Sequence, residues 1–239
     1  MKTIDVSMVA WPKTAERIEY MRRSLLSIRD RLRASRHSLV LRVSCETLDV
    51  SPLQFKETRD ICAEYEATSH WRGKPPSLGG NQNDALLMGY GSFILLQQDD
   101  WEWQRDIDLS PLADFLESDP GIALLRCATY FCRFMDAGWV LGGEHVREID
   151  HNSPYYYGDQ PHIRRADFAT RASSTGGQPV GFYRTADYLD GPANYSTPEN
   201  TMAEHLAGNG WRVAALVPNA CEHNGTLSTS PERQAQPVL

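Results

Sequence analysis

The apolar positions of this chain follow two different periods, and the switches between them mark out strands and helices in turn. Ile4-Asp5-Val6-Ser7-Met8-Val9-Ala10 alternates and then runs apolar, the pattern of a strand, which Trp11-Pro12 ends. Over residues 14–34 the spacing changes. Ile18, Met21, Leu25, Ile28 and Leu32 recur at every third or fourth position, which predicts an amphipathic helix. Thr14 is placed to cap it, with Arg17 standing where a capping box wants Glu. Leu39–Cys45 predicts a second strand that runs into Glu46. Strand, helix and strand in such short order predict a right-handed crossover in a parallel sheet.

Further along, Leu53–Ala67 predicts a second helix and Ala67–Trp71 a short extended stretch. A turn-rich loop, Arg72–Gly80, leads to a helix over Asn81–Gly89. Next, Phe93-Ile94-Leu95-Leu96 is too short for a buried helix and is entered through Gly89-Tyr90-Gly91, so it predicts a fully buried strand. That strand runs into Gln97, Gln98, Asp99 and Asp100, then into Trp101-Glu102-Trp103. Leu109–Leu116 predicts a helix and Gly121–Cys127 a strand. Residues 128–195, rich in aromatics, Gly and Pro, predict only short strands at Trp139–Leu141 and Val180–Tyr183. Pro198–Leu206 opens a helix with Pro and acid in its first turn, and Gly208-Asn209-Gly210 ends it. Trp211–Val217 is the last predicted strand, followed by Cys221-Glu222-His223-Asn224-Gly225 and a Ser/Thr/Pro/Gln tail expected to be mobile.

Composition narrows the class without naming a function. The 239 residues suit one α/β domain, and 41% hydrophobic with 23% charged residues is ordinary for a globular chain. No apolar run approaches the roughly 18 residues of a membrane span, and the start lacks a signal peptide's apolar core. Five scattered cysteines without a CxxC pair suit reduced thiols, so a cytoplasmic location is expected. A net charge of −7 argues against a generic nucleic-acid binder. Its distribution is uneven, however. Residues 13–42 carry Lys13, Arg17, Arg22, Arg23, Arg29, Arg31, Arg33, Arg36 and Arg42 against Glu16, Glu19 and Asp30. Such a run is usually the wet face of a helix; the arginine-rich 17–42 stretch also suits a polyanion such as DNA or an anionic membrane surface.

Candidate chemistry gathers at the buried strand's end. In open α/β sheets ligands sit beyond the carboxyl ends of the strands, where Asp99 and Asp100 would lie. Carboxylates there suit hard cations such as Mg²⁺ and Mn²⁺, which take oxygen ligands. A lone Asp pair more often just begins a solvated loop. Gly79-Gly80 ahead of a polar helix exposes N–H groups for phosphate, with Lys74 as counter-charge. Neither the Walker nor the dinucleotide glycine spacing is present, so this stretch by itself reads as a loop.

Three places together carry a resemblance to family 2 glycosyltransferases of the A-type (GT-A) fold: the opening strand and helix through Ile28, the run from Asn81 to Asp100, and the run from Glu199 to Gly225. The resemblance implies a single α/β domain, a Rossmann-like mixed sheet flanked by helices. Residues 1–105 would form the nucleotide-sugar half, residues 106–228 the acceptor half, and residues 229–239 a tail. It implies that Asp100 and His223 hold Mn²⁺ or Mg²⁺, with Asp99 supporting near the donor sugar or ribose and Gln98 in the place of the motif's first carboxylate. Lys74, Asn81 and Asn83 would meet the donor, and Glu199 would be the general base of an inverting transfer. Asn200 stands where the family often has Asp, and Glu204 one turn on is the fallback base. Trp101, Glu102 and Trp103 would either line the acceptor side or pack. The donor would be a UDP-sugar first, with GDP- and TDP-sugars behind it. The acceptor would be a hydroxyl on a saccharide, a lipid-linked or small molecule, or a hydroxymethylated DNA base. The competing reading is a non-catalytic nucleotide- or glycan-binding module. A metal-dependent phosphohydrolase ranks last, because it wants more clustered His and Asp ligands.

Overall fold

The computed structural model describes residues 1–73, 78–130, 132–153, 156, 160–166, 206–208 and 210–224. The first predicted strand forms as β1 (Thr3–Ala10), and its alternation decides the layers. Ile4, Val6, Met8 and Ala10 join one core cluster, while Val9 joins another on the opposite face. The crossover helix α1 (Ala15–Arg31) sets Ile18, Met21, Leu25 and Ile28 into the first cluster, as their spacing predicts. Thr14 caps it, its hydroxyl accepting from Arg17 N at 3.2 Å.

After a two-residue strand β2 (Leu32–Arg33), β3 (Ser38–Cys45) returns parallel to β1, as the crossover demands. Helix α2 (Pro52–Glu64) opens on a complete capping box between Ser51 and Gln54, with Pro52 leading. It stops short of the expected Ala67, where Glu66 takes a φ of 54° and turns the chain into β4 (Thr68–Trp71). Helix α3 (Leu78–Leu87) starts before the expected Asn81, which places that residue inside the helix. β5 (Phe93–Gln98) is the predicted buried strand and lies parallel to β1 on the side away from β3.

The remaining elements are β6 (Trp101–Trp103), β7 (Ile107–Asp108), α4 (Leu109–Ser118), β8 (Ile122–Arg126), β9 (Phe134–Leu141), β10 (Glu144–Ile149), β11 (His162–Arg165), β12 (Arg212–Leu216) and β13 (Cys221–His223). Nine strands form one sheet in the order β4-β3-β1-β5-β11-β8-β12-β10-β9, so residues from both expected halves share it. β11 runs antiparallel to both β5 and β8, and the β9–β10 hairpin closes one edge, making the sheet mixed. Helices α1, α2 and α4 pack on the first cluster; Ala85 and Leu86 of α3 and Leu206 pack on the second. This is the predicted α/β class with helices on both faces.

The sequence reading departs from the structure most in the second half. Trp139–Leu141 is only the end of the longer β9, whose hairpin partner β10 follows Gly142-Gly143 at φ 60° and 93°. β11, His-Ile-Arg-Arg, lacks a strand's apolar alternation, yet all four residues are buried in the middle of the sheet. Arg165 is satisfied from inside, donating to the carbonyls of Leu116 and Pro120 at 2.6 and 3.2 Å. The expected strand at Val180–Tyr183, the start of the helix at Pro198 and the tail at 229–239 lie outside the described residues. Among the described residues no helix is long and apolar enough to cross a membrane. All five cysteines are unbridged.

The entry to β5 depends on the absence of a side chain. A Cβ on Gly91 would meet Asp5 Oδ2 and the Thr3 carbonyl, each at 2.7 Å, where Asp5 is buried and accepts from Gly91 N. A Cβ on Gly73 would meet nothing within 4 Å. Gly91→Ala should therefore lower unfolding stability by about 1–3 kcal/mol, with Gly73→Ala within about 0.5 kcal/mol of wild type. Urea denaturation of the two variants checks this, and equal effects would contradict the packing described.

Candidate active site

Strand order reverses direction at β1. The chain moves from β1 to β3 and β4 on one side, then returns to place β5 on the other. Such a switch point opens a crevice beyond the carboxyl ends of the two strands, because their connections leave in opposite directions. Here β1 and β5 are paired to their ends, Val9 opposite Gln98, and Asp99 N donates to Val9 O at 3.0 Å. Asp99 and Asp100 therefore lie just beyond the carboxyl end of β5, where the fold places its ligand crevice, and beside the first turn of α1.

That turn supplies Arg17. Its guanidinium forks across both acids, Nη2 on Asp99 Oδ1 and Nη1 on Asp100 Oδ2 at 3.0 Å. The other Asp99 oxygen accepts from Trp11 N at 3.2 Å, so this fully buried carboxylate is committed on both sides. The two acids are pushed apart in acidity. Burial drives Asp99 above the usual carboxylate range, with Arg17 opposing and the Asp100 charge adding to the rise. Burial also acts on Asp100, but His223 and Arg17 outweigh it and hold that carboxyl below its ordinary value.

His223 reaches the crevice through the second half of the chain. After β12, Asn219 is fixed by Thr129, whose N donates to Asn219 Oδ1 at 2.9 Å, and Arg105 donates to Pro218 O at 3.0 Å. β13 then pairs antiparallel with β6, setting His223 opposite Trp101, and Asn224 N donates to Asp100 O at 2.8 Å. His223 Nε2 lies 3.3 Å from Asp100 Oδ2, with the Trp101 ring edge-on to the imidazole at 5.2 Å between centroids. Asp100 Oδ1 is buried and has no hydrogen-bond partner among the described residues.

A polar network under the crevice keeps α1 in place against β5. Gln97 donates to Ser24 Oγ at 2.7 Å and accepts from Trp103 Nε1 at 2.9 Å, while Ser27 Oγ accepts from Trp103 N at 3.1 Å. Trp101 and Trp103 are both core residues, which settles them as packing, and Glu102 pairs with Arg23 at 2.7 Å.

The other sequence candidates fare unevenly. Asn81 uses both ends of its amide within the fold, accepting from Ser44 Oγ at 2.6 Å and donating to Ala10 O at 3.1 Å. Asn83 is half-buried on the same helix. Lys74, Glu199, Asn200 and Glu204 lie outside the described residues. The arginine run is largely spent on acids, most of them from other elements: Arg22 on Glu19, Glu57 and Glu64, Arg31 on Asp106, Arg36 on Asp114 and Arg42 on Asp5. Sequence reasoning missed two groups. Arg17 was one wet-face arginine among several, although a cation in a helix's first turn runs against the helix dipole and asks for a reason. Arg72, buried just beyond β4, holds Asp84 at 2.6 Å and lies 3.7 Å from Glu46 at the end of β3. An open groove of about 400 Å³ between α1 and α2, lined by Arg22, Leu53 and Glu64 among others, includes none of the switch-point acids.

No protein-family model and no curated protein matches the sequence. Solved structures do match the fold. TarS of S. aureus, residues 1–349 in complex with UDP-GlcNAc, aligns over 98% of this chain and 63% of its own at 14% identity, with a TM-score of 0.58. The mannosyltransferase PcManGT from Pyrobaculum calidifontis, in complex with GDP-Man and Mn²⁺, aligns over 89% of this chain and 54% of its own at 11% identity, TM-score 0.54. Against the longer TarS structure the chain covers 36% of the length, so it spans between about a third and two thirds of these glycosyltransferase chains. At these identities the likeness is one of architecture: the chain has the GT-A glycosyltransferase fold.

Proposed function

We propose that this chain is a glycosyltransferase that moves one sugar from a nucleoside diphosphate sugar, a UDP-sugar first, to a hydroxyl acceptor. The observation that carries the reading is the meeting of Asp100 and His223 beyond the carboxyl end of β5, beside a buried carboxylate oxygen that has no hydrogen-bond partner among the described residues. Complexes of similarly folded proteins with UDP-GlcNAc, and with GDP-Man and Mn²⁺, support it.

The donor set suits a divalent cation. A hard cation commonly takes one or two protein carboxylates and completes its shell from substrate phosphate oxygens. Among the described residues no three His, Cys, Asp or Glu side chains gather into a self-sufficient site. Asp100 with its free oxygen and His223 at 3.3 Å match a site that the substrate completes. Mn²⁺ or Mg²⁺ held there would neutralise charge on the diphosphate leaving group.

The remaining roles belong to this chain's own residues. Asp99 anchors Arg17 and the Trp11 backbone at the donor side. Asn83 and Lys74 are assigned to the donor, within the nucleotide-sugar half at 1–105. Asn81 is assigned there too, positioning α3 through its ties to β1 and β3. Glu199, in the acceptor half at 106–228, is assigned as the base that takes the acceptor hydroxyl's proton while that oxygen attacks the anomeric carbon with inversion. A saccharide, lipid-linked or small-molecule hydroxyl is favoured as acceptor over a hydroxymethylated DNA base, since the arginines that suggested DNA are paired with acids. The five unbridged thiols suit a reducing compartment such as the cytoplasm.

A thermal-shift screen of UDP-, GDP- and TDP-sugars with and without Mn²⁺ tests the reading, because a ligand of the native state raises Tm. Asp100→Ala should lose the Mn²⁺-dependent part of that shift and weaken donor binding by about tenfold or more; wild-type donor affinity in this variant would contradict the site. Glu199→Gln should bind donor within about twofold of wild type and slow transfer by about 10²–10⁴, measured as nucleoside diphosphate release. Donor binding without any donor hydrolysis or transfer by the wild type would favour a binding module instead.

A further inference from the structure

The guanidinium of Arg17 lies where a cation serving Asp99 and Asp100 would be expected. It reaches both acids at once, and it does so from the third position of α1. That position is electrostatically poor for a cation, since the first turn of a helix carries the positive end of the dipole and favours Asp or Glu. No benefit to the helix explains Arg17, so the two acids must. Its side chain is 28% exposed while Asp99 is fully buried, so the guanidinium closes the outer side of the acid pair. One Asp100 oxygen, Oδ1, is buried with no hydrogen-bond partner among the described residues. The cluster is thus held together by Arg17 but not saturated by it.

We propose that Arg17 is the resident counter-cation of this crevice, holding the acid pair in the metal-free protein and releasing Asp100 only when a ligand brings further negative charge. The inference rests on the glycosyltransferase reading for the identity of that ligand, a nucleoside diphosphate. Two cations that share an acidic pair at close range repel each other. Arg17 therefore weakens the affinity of a divalent ion for the empty crevice. A diphosphate relieves the conflict by offering oxygens to both cations, because a guanidinium fork matches phosphate as well as carboxylate. Metal and nucleotide binding then become mutually dependent, each tightening the other by the same factor.

Mn²⁺ binding measured by electron paramagnetic resonance, with Mn²⁺ alone and with UDP, tests this on wild type, Arg17→Gln and Arg17→Lys. Wild type should bind Mn²⁺ weakly by itself and about tenfold tighter or more with UDP. Arg17→Gln should bind Mn²⁺ alone about tenfold tighter or more than wild type, and its Tm should rise with Mn²⁺ further than the wild-type Tm does. Arg17→Lys keeps the charge without the fork, so it should lie between the two, and it decides the matter if the glutamine variant does not fold. Mn²⁺ affinity equal to wild type in the substituted proteins would make Arg17 a structural clamp only and overturn the proposal. Absence of UDP binding by wild type and both variants would count against the glycosyltransferase reading, whereas the Mn²⁺ comparison without nucleotide would still decide the role of Arg17.

Discussion

Two adjacent carboxylates at the end of a buried strand, one of them out of reach of water, require a cation. Arg17 supplies it across Asp99 and Asp100, and much of the first half of the chain is arranged so that it can. The crossover from β1 to β3 carries α1 over the first core cluster, and the Gln97–Ser24–Trp103 network fixes that helix against β5. Thr14 and Trp11 then set the first turn of α1 within reach of the acids. Without Arg17, burial would push Asp99 further toward its neutral, protonated form and the pair would lose its tie to α1. The interaction that makes the crevice chemically useful is therefore also one the fold depends on.

The same crevice is completed from far along the chain. β12, the turn through Asn219 and the β13–β6 pairing together return His223 to Asp100. Trp101 and Trp103 do their work from within the core, one fixing the imidazole edge-on and the other holding Gln97. One sheet carries β1 and β5 from the first half and β8, β11 and β12 from the second, so crevice geometry and core packing are set together.

What the sequence disclosed follows what each segment buries. β1, α1, β3 and β5 bury apolar side chains at regular spacing, and their periods were legible. β11 was not, because His162, Arg164 and Arg165 are buried by being hydrogen-bonded or paired rather than by being apolar. Trp101-Glu102-Trp103 does alternate, but three residues are too few to separate a strand from a loop until β13 is seen beside it. Asp100 and His223 were connected only through resemblance to a family, since spacing along the chain does not show that β13 returns to β6. Arg17 was visible as a missing capping-box Glu, a local defect whose reason lies across the crevice. The arginine run looked like a polyanion site because the acids that pair with it, such as Asp5, Asp106 and Asp114, come from other elements.

The central claim is that this crevice gathers a cation and a diphosphate at the end of β5. Anomalous diffraction at the manganese edge, from crystals grown with Mn²⁺ and UDP, addresses it directly. The account predicts one strong peak within bonding distance of Asp100 Oδ1 and the His223 imidazole, adjoining density for the diphosphate. A nucleotide seated elsewhere, or a peak away from Asp100 with Oδ1 still unpartnered, would contradict it.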